Sequence, residues 1–292
     1  MQLMPLTKKL YMDIKMIMAT GVLTLMAFTA CNNKSANTAG DSSTDSTKTA
    51  VAGVAKLEFD SVGFKESKRW MDKELGEETG YTVEYSADFP VSGPQPLVDS
   101  IRAYIATSLD MPAKPVPSDG NALINEAGKK ALKDGANESY GSVGGENIFS
   151  FKMDMATKGF VSFTENTYVF TGGAHGLGVT QGVMFDAADG HRLGWDIFPP
   201  SSLPKVKALV EQGICRQYFE VADWNAVWDG TPQQKFELPT LPPTFTQKGI
   251  LFNYAPYELG YYAMGAPYCI IPYSDIESLL TPQAAALLKG KP

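Results

Sequence analysis

Histidine is almost missing from this 292-residue chain, which has only His175 and His191. A zinc site takes three or four ligands, and catalytic ones lean on histidine. With the two sixteen residues apart and no H-x-x-E-H or C-x-x-C pattern near them, no metal is expected. Cysteine is scarce too: Cys31, Cys215 and Cys269 are the full set. Phosphate loops place a lysine and a hydroxyl after their glycines; the one glycine nest that draws the eye, TGGAHG at 171–176, has neither following it. A nucleophile elbow would read G-x-S-x-G, and YGSVGG at 140–145 comes nearest without fitting. No motif singles out two of the 32 acidic residues as a glycosidase pair. No cofactor is expected on these grounds.

What is there begins with a leader. Lys8, Lys9 and Lys15 precede the apolar run MIMATGVLTLMAFTA, which stops at Cys31. It is too short to span a bilayer comfortably, and it has a basic start and small residues at its end, so residues 1–30 read as a secretory signal peptide. The FTA-Cys junction is similar to a bacterial lipobox, with Phe28 where leucine is usual. Cys31 is therefore the expected lipidation site. Residues 31–54 are rich in Ser, Thr, Asn, Ala and Asp and carry no aromatic ring. Such a segment cannot bury enough apolar surface to offset its ordering entropy and reads as a disordered tether. The expectation is a protein held to the membrane by its lipid anchor in the bacterial envelope, on the periplasmic face rather than the cell surface.

Taking the three lysines and one aspartate of the leader from the chain's 25 basic and 32 acidic residues leaves 22 against 31, a charge near −9. An acidic surface argues against nucleic acid and permits a cationic partner. With Cys31 lipidated, Cys215 and Cys269 remain as an even pair in an oxidising compartment. A disulfide between them and two free thiols are both open readings.

The remaining 240 or so residues alternate strand and helix signals. Tyr81, Val83 and Tyr85 alternate with polar residues, as in a half-buried strand. Leu97, Ile101, Ile105 and Leu109 form one helical stripe after Pro94, and a second helix is expected over about 122–133. Strands are expected in NIFSFKMDMA and FVSFTENTYVF, turned at Thr157-Lys158-Gly159, then in LGVTQGVMFD and HRLGWDIF. A helix over about 203–219 would bury Val206, Leu209, Val210 and Ile214, with Cys215 and Phe219 on another side. These elements predict an α+β fold with a mixed, largely antiparallel sheet, packed helices and two intimately associated subdomains, 55–155 and 156–292.

The glycines of TGGAHG permit positive φ and close backbone approach. Gly172, Gly173, His175 and Gly176 therefore read first as a structural turn, with contact to a ligand or partner as the alternative and catalysis behind both. Tyr254, Tyr257 and Glu258 carry the same choice, because tyrosines at strand ends more often pack in a core than form a stacking platform.

The stretch YVFTGGAHG, then FDAADGHRLGWDIF, then FNYAPYELGYYAMGAPYCIIPYSDI resembles the extracytoplasmic domain of the RsiV-like anti-sigma factors over about 160–280. Residues 55–155 are similar to the domain that precedes it in PdaC-type peptidoglycan deacetylases. The resemblance implies an outward-facing module, and in the anti-sigma factors that module binds lysozyme. No deacetylase domain and no sigma-binding segment can be read here. The expected function is a lipid-anchored recognition module for a lysozyme-like protein or a cell-wall component such as peptidoglycan. A scaffold lipoprotein, or less plausibly a peptidoglycan hydrolase, is the alternative.

Overall fold

The structure is a computed structural model that describes residues 49–50, 57–73, 76–138, 144–228 and 234–289. The leader, Cys31 and nearly all of the tether lie outside the described residues.

Alternation in the first half builds a long hairpin, β2 (Glu58–Met71) with β3 (Glu78–Ser92), edged by the two-residue β1 (Thr49–Ala50). Tyr81, Val83 and Tyr85 are buried, as are Phe64 opposite Tyr85 and Val62 opposite Ala87, so the period-2 pattern does mark one covered face. Two helices follow. In α1 (Gln95–Ser108) the expected stripe is buried, with Val98 and Ala106 widening it, and Leu109 caps the end. The second, α2 (Gly120–Glu138), runs longer than its apolar pattern suggests. The chain then returns as β4 (Gly145–Ala156) parallel to β3, the one parallel pairing of the sheet. A parallel neighbour cannot be reached through a tight hairpin, and the two helices supply the crossover. Thereafter β5 (Phe160–Phe170), β6 (Leu177–Asp186) and the short β7 (Arg192–Leu193) add antiparallel strands in chain order.

The expected α+β class, mixed and largely antiparallel, describes this sheet. The expected subdomain boundary at 155/156 falls at the β4–β5 hairpin, so the seven-stranded sheet runs straight through it. What divides instead are the two faces. On one, Val161, Phe163, Val183 and Phe185 join the core built by α1, α2 and the first strands. On the other, Phe160 and Met184 join a second core. That second core contains α3 (Leu203–Gln217) and a three-stranded sheet of β8 (Thr244–Phe245), β9 (Gly249–Asn253) and β10 (Tyr268–Pro272). Gly182 lies where the two sheets meet: a Cβ there would come 1.9 Å from Thr244 Oγ1, so only glycine lets β8 approach β6 this closely.

One expected strand is corrected. The strand expected from His191 to Phe198 shrinks to β7 and then tightens into a 3-10 turn, Trp195–Ile197. Asp196 causes this, taking the Gly194 N–H on one carboxylate oxygen (2.7 Å) and His191 Nε2 on the other (2.7 Å). Cys215 and Cys269, left open between a disulfide and free thiols, are both buried free thiols. Cys269 Sγ rests over Gly213 and the Val210 carbonyl of α3. Cys215 is two residues beyond Gly213, about 200° round the helix, and belongs to the second core rather than to a separate side. Burial raises both thiols, Cys269 up to about 12, so neither supplies much thiolate. Both should resist an aromatic disulfide reagent in the native chain and react stoichiometrically once it is denatured; fast native labelling would contradict this packing.

A polar island sits in the first core. Glu165 is buried on β5, where it accepts from Ser108 Oγ (3.0 Å) and Gln181 Nε2 (2.9 Å). Beside it, burial and the Glu165 charge raise the Tyr104 hydroxyl far above its usual range, and Arg192 stacks over the same ring. Among the described residues no helix is long and apolar enough to cross a membrane.

Candidate functional site

TGGAHG joins β5 to β6, and its turn is made by Gly172 (φ 97°) and Gly173 (φ 100°), values that a side chain would strain. At Gly176 the reason for glycine differs: a Cβ would stand 2.3 Å from the Tyr168 hydroxyl, which hydrogen-bonds the Gly176 backbone. The loop is thus cinched onto the end of its own strand.

From the other side it is met by the segment between β9 and β10. The His175 imidazole lies flat on the Tyr262 ring, with centroids 3.6 Å apart and planes 9° apart. Its Nδ1 is 3.0 Å from the Gly176 carbonyl, an acceptor, so Nδ1 carries the proton and donates. In the neutral ring that leaves Nε2 as the acceptor, and the Tyr257 hydroxyl stands 3.1 Å from it as the donor. The Tyr262 hydroxyl donates to the same Gly176 carbonyl at 3.1 Å. Both ring nitrogens of His175 are therefore committed to holding a corner. Tyr257 adopts φ 71°, a costly conformation for a bulky residue, and its hydroxyl is raised by partial burial and by Tyr262.

The other sequence candidates separate cleanly. Tyr254 is buried, its hydroxyl donating to the Glu237 carbonyl at 2.9 Å, and belongs to the core. Glu258 is a loop clamp: one carboxylate oxygen accepts the Ala255 N–H (2.9 Å) and the other the Thr240 N–H. So Tyr257 joins His175 at the site, while Tyr254 and Glu258 support the segment that presents it. The sequence reading missed Tyr168, Tyr261, Tyr262 and Tyr268. Tyr257 (48%), Tyr261 (57%), Tyr262 (36%) and Tyr268 (54%) are four of the six large hydrophobic side chains that stay exposed among the described residues. The signal was the density of Tyr in GYYAMGAPY, which marks a platform only once the register around it is known.

The second histidine lies elsewhere. His191 is raised above its usual value by its hydrogen bond to Asp196 first, with Asp189 and Asp186 adding to the effect. A raised folded pKa stabilises the fold below the ordinary His value and loses that contribution as pH climbs through the folded one. The pair is half exposed, so the effect on stability is small. NMR titration should place His191 above a model histidine, and Asp196→Asn should bring it down. Among the described residues no group of three or more His, Cys, Asp or Glu gathers as a metal site.

Fold and site together define an α+β domain with two cores, presenting a tyrosine-lined loop pair locked by one histidine. Residues 195–274 match the model of a family described as a protein of unknown function, DUF3298. That match takes in the segment from Tyr254 to Tyr268 and begins after the TGGAHG loop. A crystal structure of a DUF3298 family member from Bacteroides fragilis is similar, with TM-score 0.65 and 21% identity over 80% of this chain and 98% of that one. A DUF3298 family protein from Pseudomonas aeruginosa is similar at TM-score 0.51 and 18% identity, covering 77% of this chain and 96% of that one. At these identities the likeness is one of fold. No curated protein matches.

Proposed function

We propose that this chain is a lipid-anchored recognition module of the bacterial envelope that binds a cationic, lysozyme-like protein without a catalytic step. The anchor is Cys31. The recognition face centres on His175 with Tyr257 and Tyr262, and the same segment carries the exposed Tyr261 and Tyr268. One observation carries this reading: large aromatic rings stand exposed on a segment that is held from behind by His175, Glu258 and the Gly176 carbonyl. Tyrosine buries a large area for little lost rotamer freedom, which is why it is enriched where binding energy concentrates at protein interfaces. The acidic excess of residues 31–292 favours a cationic partner over peptidoglycan, which carries carboxylates of its own. The commitment of both His175 ring nitrogens to the corner supports recognition over acid–base work.

Calorimetry of the purified chain with hen-type lysozyme tests this directly. Saturable binding that weakens by about tenfold between low and physiological salt is expected, since exposed charges are screened beyond a Debye length of roughly 8 Å. Absence of binding at low salt, with the chain shown folded, contradicts the proposal.

A further inference from the structure

α3, the first residue of α4 (Trp224–Val227) and residues 234–236 line an open cleft of about 470 Å³, bounded by Lys207, Glu211, Trp224, Gln234, Lys235 and Phe236. Its floor is aromatic. Trp224 and Phe236 meet edge to face at 5.1 Å, and the indole is fixed by donating to the Gln234 carbonyl at 2.7 Å.

The charges around that floor are divided. Lys207 and Glu211 sit one turn apart on the same helix face, the spacing at which such residues pair. They do not pair here. The Lys207 ammonium turns instead to Glu237 at 2.6 Å, and Lys235 reaches the other oxygen of the same carboxylate at 2.7 Å. Two ammonium groups thus share one carboxylate, which leaves a surplus positive charge on that side. Glu211, one turn along α3 from Lys207, is half-buried and has no hydrogen-bond or ion-pair partner among the described residues.

A half-buried carboxylate one turn from a lysine pair, beside aromatic rings, offers a ligand charges of both signs. A simple anion meets Glu211, and a simple cation meets the lysines. We propose that the cleft binds an amino-acid zwitterion: its ammonium on Glu211, its carboxylate on Lys207 and Lys235, and an apolar side chain over Trp224 and Phe236. The volume lies in the range of roughly 300–1,000 Å³ usual for small-ligand sites and admits one such residue, free or as part of a short peptide carrying both charges. The proposal stands apart from the tyrosine face and does not depend on it.

The test is an NMR titration of the full chain with leucine, followed at the Trp224 indole N–H. Leucine amide (cation only) and N-acetylleucine (anion only) serve as probes of the charge requirement. Saturable shifts with leucine and at least tenfold weaker responses with both analogues are expected. Glu211→Gln should weaken leucine by tenfold or more without lowering Tm, because no partner is lost, and Lys207→Met should do the same from the other end. Equal responses to leucine and N-acetylleucine, a response unmoved by Glu211→Gln, or no saturable shift at tens of millimolar leucine would each overturn the assignment.

Discussion

Phe163→Ala is expected to destabilise the fold by about 3–5 kcal/mol, among the largest effects a single truncation here can have. Phe163 is fully buried at the middle of β5, stacked on Phe151 at 4.4 Å, and met edge-on by Phe59 at 5.8 Å and Phe185 at 6.0 Å. It therefore ties four strands of one face together, and three of its neighbours are rigid rings that cannot relax into the space it leaves. For a chain of this size the loss corresponds to a fall of roughly 10 °C in Tm. Differential scanning calorimetry checks it. A loss below about 1 kcal/mol would mean that the cavity collapses, and that the ring cluster is not the rigid centre described.

Tyr262→Ala should have the largest effect on recognition, lowering the affinity for a lysozyme-like partner by on the order of 30-fold or more, as for a central interface residue. The substitution removes an exposed ring, the surface on which His175 is stacked, and the hydroxyl donated to Gly176. Tyr262→Phe separates these contributions, since it keeps the stack and deletes one hydrogen bond; a loss of only a few-fold is expected. If Tyr262→Ala leaves affinity unchanged while Tm falls, the residue is part of the corner and not of the binding face.

Much of the fold is legible in the chain because its signals are local. Leu97, Ile101 and Ile105 recur at helical spacing, Tyr81, Val83 and Tyr85 alternate, and Thr157-Lys158-Gly159 separates two β runs; each of these became the expected element. What was hidden depends on neighbours distant in sequence. Nothing local in β3 or β4 announces that they lie parallel, because that pairing is set by how α1 and α2 pack over the sheet. Asp196 gave no sign that its carboxylate would fold the chain back on His191 and end a strand.

The site shows the same division. Three glycines and a histidine mark a special turn in the sequence, and Gly172 and Gly173 adopt positive φ there. The partner of that turn, Tyr262, is 87 residues away from His175 and carried no mark beyond its place in a tyrosine-rich run. Tyr254 and Glu258 stood out in the sequence on equal terms with Tyr257. Only the packing distinguishes the buried ring, the clamp and the exposed ring.

The proposed recognition face is the pair of loops around His175. Hydrogen exchange on the chain with and without saturating hen-type lysozyme tests it most directly. Protection confined to residues 171–176 and 254–268 is the predicted result. Lysozyme-dependent protection that leaves both loops unchanged, or no change anywhere in the chain, would contradict it.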